Sequence, residues 1–202
     1  HDFSSATVAL GAGTDIVQAT FASDFGVSMP FRNLEEFRFN CTTAATVNMT
    51  SLTGLTQLTN DADGSATAIT VQNISATSSA FPKLSFRGLN TQATQTYDTV
   101  TYSATGVTGS SDSLTVDVNN RGTALNTGSG TSNVHTIGAI TAAGFETVNV
   151  DIADGPTTFG GITASTMTSF DLDTGTNVPA TGSITLGTVA PTSVVLVTVD
   201  LS

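Results

Sequence analysis

Carboxylates are the groups in this chain best placed to do chemistry. Its 202 residues include 16 acidic and 5 basic side chains, a formal net charge of −11, and the acids are 13 Asp to 3 Glu. Asp is short enough for tight loops, and Ca2+ takes about six to eight oxygens from carboxylates, backbone carbonyls and water. The candidate ligands are Asp15, Asp61, Asp63, Asp112, Asp171 and Asp173. Two pairs stand two residues apart in turn-like runs, Asn60-Asp61-Ala62-Asp63-Gly64 and Asp171-Leu172-Asp173-Thr174-Gly175, while Asp15 and Asp112 hold matching places in two similar segments. Residues two apart share one face if they lie in a strand. Paired carboxylates also serve glycoside hydrolysis, as acid with base or nucleophile. Same-face pairs in turns suit a cation better than a separated acid and base. The basic groups that a polysaccharide-cleaving groove would recruit are scarce: His1, His135, Lys83, Arg32, Arg38, Arg87 and Arg121. No Gly-x-Ser-x-Gly elbow occurs, and one Cys with two distant His offers no zinc spacing. His135 reads as a surface loop residue. The expectation is a Ca2+-binding protein and no enzyme.

The same charge balance excludes other partners. Neutralising phosphates needs clustered Lys and Arg, and Lys83 is the single lysine. An anionic membrane is disfavoured for the same reason. Eleven Phe, two Tyr and no Trp weigh against a lectin, whose wet interface favours aromatic rings with a polar handle. Phe21, Phe25, Phe31, Phe37 and Phe39 are read as a local core that caps one end of the fold. Cys41 stands alone, so no intrachain disulfide forms, and it is expected as a small buried residue. Three sequons, at Asn40, Asn48 and Asn73, are what a chain this rich in Asn and Thr contains by chance.

What must position these residues is β-structure. Thr supplies about a fifth of the chain, and β-branched residues favour pleated surfaces. Charged residues are 10 % against roughly 25 % in an ordinary domain. With 39 % apolar residues the chain is folded rather than disordered, and its length can bury a core. Apolar and polar residues alternate almost everywhere, with Gly, Asn, Asp and Ser between the runs. Strands are predicted at 7–10, 16–21, 36–40, 46–49, 68–72, 83–86, 99–103, 113–118, 147–152, 169–172, 183–186 and 193–199. Leu52, Leu55 and Leu58, three apart, resemble one short solenoid coil, as do residues 165–170. Residues 105–113 and 123–132 read as loops. The predicted fold is all-β and elongated, either a β-solenoid of parallel β-helix type or β-sandwich repeats. Two units, 1–107 and 108–202, are expected, or one continuous solenoid.

Two stretches about 111 residues apart look like copies. Leu34-Glu35-Glu36-Phe37-Arg38-Phe39-Asn40 matches Phe145-Glu146-Thr147-Val148-Asn149-Val150-Asp151, and Leu55 and Leu58 fall where Met167 and Phe170 stand. Upstream, Gly13-Thr14-Asp15-Ile16-Val17 echoes residues 109–114 at a spacing of 97. The offsets differ by about 14 residues, so one copy carries an insertion or deletion. Repetition of a supersecondary unit marks an array in which each unit buries its apolar face against its neighbours.

A family resemblance rests on Gly11-Ala12-Gly13-Thr14-Asp15-Ile16-Val17, similar to a glycine-rich calcium turn, and on Gly144-Phe145-Glu146-Thr147-Val148-Asn149-Val150, similar to a strand entry common in such repeats. With the Thr/Ala/Gly/Val composition and scarce Lys, the chain resembles the RTX-type, calcium-dependent surface-layer (S-layer) proteins of Gram-negative bacteria. No tandem nonapeptide array occurs. The resemblance implies a secreted, cell-surface structural protein that assembles with copies of itself into a lattice, near cell-surface polysaccharide and without membrane insertion. A large calcium-binding adhesin is the alternative, and a polysaccharide-active enzyme on a β-helix the second. A chain that begins at His1 and closes on the apolar run 194–199 is expected to be part of a longer protein.

Overall fold

A computed structural model describes residues 8–28, 31–62, 64, 66–76, 80–88, 94–119, 134–152, 157–174, 184–185, 188–190 and 196–200. Strand predominates among the described residues, and no helix occurs among them. Numbered in chain order, eight strands form a first sheet: β2 (Ile16–Phe21), β5 (Glu36–Cys41), β7 (Gln57–Asp61), β9 (Lys83–Arg87), β12 (Ser113–Asn119), β14 (Thr147–Ile152), β16 (Ser169–Thr174) and β19 (Leu196–Asp200). Nine form a second sheet: β3 (Phe25–Ser28), β6 (Ala45–Asn48), β8 (Ala68–Ser75), β10 (Thr94–Thr96), β11 (Thr99–Thr105), β13 (Val134–Thr141), β15 (Thr157–Thr163), β17 (Ile184–Thr185) and β18 (Thr188–Ala190). A short pair, β1 (Val8–Ala9) with β4 (Phe31–Arg32), stands beside them.

Every pairing among the described strands is parallel, and the chain crosses from one sheet to the other and back. In the first sheet each strand pairs with those one crossing before and after it, in the order β2-β5-β7-β9-β12-β14-β16-β19. Both sheets run through the region of Val107 and Thr108: β11 pairs with β8 and β13, and β12 with β9 and β14. Parallel sheets usually have both faces covered and read as unbroken apolar runs. Here one face of each sheet packs inward and the other meets solvent, which explains the alternation in the sequence. Inward side chains such as Phe37, Phe39, Leu58, Leu84, Val116 and Phe170 are 0 % exposed and meet Val47, Val100 and Tyr102 of the second sheet in one core. Each large side chain so buried contributes about 1.5–3 kcal/mol.

The clustered phenylalanines are core, as expected for those whose side chains are described. Phe21, Phe37 and Phe39 are buried, Phe25 and Phe31 partly so, and Phe21 lies 6.2 Å ring to ring from both Phe25 and Phe37. Cys41 is buried too. His135 is a correction. It lies in β13 rather than in a surface loop, is 0 % exposed, and stacks on Tyr97 with its Nδ1 2.9 Å from the Tyr97 hydroxyl. The inward slot at this level runs Gln95, His135, Thr157 in register, all buried, so a polar column replaces apolar ones and hides the strand from a hydrophobicity reading. A second buried polar group joins Asn60 to Asp98: the Asn60 Nδ2 donates to Asp98 Oδ2 (2.8 Å), and the Asp98 backbone N–H donates to Asn60 Oδ1 (3.0 Å). The Cys41 N–H also donates to Asp98 Oδ2, at 3.2 Å.

Candidate functional site

The outer face of the first sheet carries its ionisable groups in in-register columns, and the two ends of that face differ. Over β5, β7 and β9 the acids are matched by cations. Arg38 donates to both Glu36 oxygens at 2.9 Å, Thr59 and Gln57 add hydrogen bonds to Glu36 Oε1, and the hydrogen bond to Glu36 holds the Arg38 guanidinium above its ordinary pKa. Arg87 forks onto both oxygens of Asp61, which also accepts from Gln18 Nε2 at 2.9 Å. Such bidentate pairs are the strong form of the ion pair.

From β12 onward the cations stop. Asp117 pairs in register with Asp151, Asp151 with Asp173 and Asp173 with Asp200. Lys83 meets the near end of this column through Asp117 Oδ2 at 2.7 Å. Asp171 lies beside Asp173, two residues earlier on the same face of β16, with Leu172 buried between them. Adjacent strands are about 4.8 Å apart, so like charges at that spacing repel by about 1 kcal/mol per neighbour before salt screening. Accordingly the Asp151 carboxyl is held above the usual carboxylate range, first by partial burial in the crowded column, then by the charges of Asp117, Asp173 and Asp171, with Lys83 opposing. Asp151 as a residue is exposed, so its partial burial is crowding by its neighbours in the column.

The sign of the pH effect follows. An acid whose pKa is higher folded than unfolded keeps its proton longer in the native state, so stability rises as pH falls through that raised value. Asp151→Asn is expected to raise stability at pH 7 by about 0.5 kcal/mol or less, seen as a slightly higher melting temperature, and to weaken the rise of stability as pH falls through the raised pKa. A melting temperature lowered by Asp151→Asn at pH 7 in the absence of divalent ions is the contrary result.

The six residues singled out from sequence are distributed differently from expectation. Asp171 and Asp173 share one face as predicted, but inside β16 and not in a turn. Asp61 ends β7, is 2 % exposed and is occupied by Arg87 and Gln18; its predicted partner Asp63 lies outside the described residues. Asp15 and Asp112 precede β2 and β12, four strands apart in the first sheet, or about 19 Å. They cannot share one ion. What they share is a role. The Asp15 N–H donates to Glu35 Oε2 (2.8 Å) and the Asp112 N–H to Glu146 Oε2 (2.9 Å). The carbonyl of Glu35 accepts from Thr56 N, Thr56 Oγ1 and Gln57 N; that of Glu146 accepts from Thr168 N, Thr168 Oγ1 and Ser169 N. The two matched sequence segments thus make one and the same set of hydrogen bonds.

Asp117 and Asp151 were missed from sequence. The signal that finds them is alignment of strands by their inward residues, which puts Val116-Asp117-Val118, Val150-Asp151-Ile152 and Leu172-Asp173-Thr174 in one slot. Among the described residues no three His, Cys, Asp or Glu side chains converge on a single point. The column is thus an open row of carboxylates and not a closed cage of protein oxygens. Two recesses of about 360 Å3 lie elsewhere, one lined by Val17, Phe21, Phe25 and Phe37 and the other by Met49, Leu52, Leu55 and Ile74. Neither is lined by an acid of the column. No family model, no curated protein and no solved structure matches this chain.

Proposed function

We propose that the chain is a β-solenoid structural module of a secreted, cell-surface protein that assembles with copies of itself and is stabilised by Ca2+. The observation that carries this reading is the column of Asp117, Asp151 and Asp173, flanked by Asp171, on the open face of a regular parallel sheet, where Lys83 reaches Asp117 alone. A crowded column of like charge, whose middle member Asp151 is held above the usual carboxylate range by burial and then by its neighbours' charges, is a liability to the isolated chain. It becomes an asset where a divalent cation is abundant, as outside a cell, because the ion relieves the repulsion only in the folded arrangement. The resemblance to RTX-type S-layer proteins supports the same reading from sequence. Catalysis is not part of it: the carboxylates lie on an open face away from the two recesses, with Lys83 as the nearby cation. No helix among the described residues is long and apolar enough to cross a membrane.

Thermal melts in chelator and in Ca2+ test the proposal. An ion bound only to the native state at ten times its Kd adds about 1.4 kcal/mol, or about 3–5 °C for a chain of this size. That rise is expected for the wild type and is expected to shrink in Asp151→Asn. Equal melting temperatures in chelator and in millimolar Ca2+ would remove the cation from the reading. Binding of Ca2+ by a chain that stays a monomer at every concentration favours the adhesin over the lattice.

A further inference from the structure

The two large sheets are built from similar numbers of residues, yet the charge is divided between them without overlap. The first contains Glu36, Arg38, Asp61, Lys83, Arg87, Asp117, Asp151, Asp171, Asp173 and Asp200. The strands of the second contain no Asp, Glu, Lys or Arg at all. In place of charge, the second sheet carries a threonine column in register across five strands: Thr46, Thr70, Thr101, Thr141 and Thr163. A shorter one runs Thr96, Thr136, Thr158. Their side chains are half-buried or exposed, while the alternate residues of the same strands form the core.

We propose that this uncharged threonine face is where copies of the chain meet, a deduction that rests on the self-assembly proposed above and assigns it a surface. The argument is one of distance and charge. A chain of net charge −11 that met its copy through the first sheet would set two acidic columns about 10 Å apart, the spacing of packed sheets. Meeting through the second sheet interposes two sheets, each about 10 Å thick with its core, and leaves the acidic columns roughly 30 Å apart. The Debye length in physiological salt is about 8 Å, so the first arrangement pays the repulsion and the second is screened from it. Threonine suits the contact: its methyl group packs, its hydroxyl donates or accepts, and it loses little side-chain freedom because the first torsion is already restricted. The acidic face is left outward, where cations reach it.

The test uses the full 202-residue chain, both in chelator, where the acidic column keeps its full charge, and in millimolar Ca2+, with self-association read by analytical ultracentrifugation. Thr158→Glu puts a carboxylate on an exposed position of the threonine face and is expected to weaken association at least tenfold; Thr163→Glu, also exposed, serves if circular dichroism shows the first variant misfolded. Thr115→Glu, on the outer face of the first sheet, is expected to associate as the wild type does. Mixing Thr158→Glu with Thr158→Lys is expected to recover association, a result that a merely destabilised strand cannot give. Unchanged association in both Glu variants, or equal loss in Thr115→Glu, overturns the assignment and leaves the proposed self-assembly standing. A wild type that never associates overturns both. Association that appears only when a neutral polysaccharide is added gives the face to that ligand instead and overturns the assignment to a second copy.

Discussion

Replacing Asn60 by Leu is expected to cost about 3 kcal/mol of stability, seen as a lower urea midpoint with an unchanged slope. Asn60 fills an inward slot of the first sheet between apolar neighbours and is 0 % exposed, as is Asp98. Its side chain donates to Asp98 Oδ2 and to the Phe39 carbonyl and accepts from the Asp98 backbone N–H. Leu is of similar size and packs well, so the loss comes from what is left behind: a buried carboxyl stripped of one of its donors and a buried N–H stripped of its acceptor. Removing one partner from such a pair costs about 3–5 kcal/mol where a charge is involved and about 1–3 where it is not. The double replacement Asn60→Leu with Asp98→Leu is expected to be less damaging than the sum of the two single ones, since it removes both sides of the interaction. Additivity in that cycle would show the network to be energetically idle.

Gly138→Ala is expected to cost about 2–3 kcal/mol, a fall of about 6 °C in melting temperature. A Cβ at Gly138 would stand 2.6 Å from Thr99 Oγ1, 2.7 Å from Thr99 N and 2.8 Å from Thr99 Cα. Two of these are backbone atoms, and the chain there is pinned from the other side, since the Thr99 N–H donates to the Thr67 carbonyl at 2.7 Å. The strand cannot step aside without breaking that bond. For this reason Thr99→Ala, which removes only the hydroxyl and methyl, is expected not to rescue Gly138→Ala. Full rescue would show the clash to be a side-chain matter that rotation relieves.

The sequence made the first sheet legible and left much of the second obscure. Ile16–Phe21 and Thr147–Ile152 were bounded as the structure has them, because charged or amide side chains face out and Val, Phe or Ala face in. β13 and β15 were missed for the reverse reason. Their outward slots hold Thr and Gly instead of charge, and an inward slot holds His135 or Thr157, so polar and apolar fall on both faces and the alternation vanishes. β7 was read as a leucine triplet because its inward residues include Asn60. The acidic column was half visible: Asp171 and Asp173 announced themselves by sitting two apart, whereas Asp117 and Asp151 are single acids in their strands. Only the register of neighbouring strands turns single acids into a column, and register between strands tens of residues apart is a long-range property.

The paired Asp–Glu hydrogen bonds carry one more consequence. Asp15 and its Glu35 acceptor are 20 residues apart in the chain, whereas Asp112 and Glu146 are 34 apart. That difference of 14 residues equals the mismatch between the two repeat offsets, 97 and 111. Most of it falls between Asn119 and Val134, where the chain leaves the first sheet for the second; the corresponding step earlier runs only from Phe21 to Phe25. Added chain length costs little free energy as it grows, so the span between Asn119 and Val134 can gain or lose residues while the hydrogen-bonded rungs stay in step. That span is therefore where new sequence, including an epitope, a tag or a second binding segment, is expected to be inserted with least disturbance to the stack.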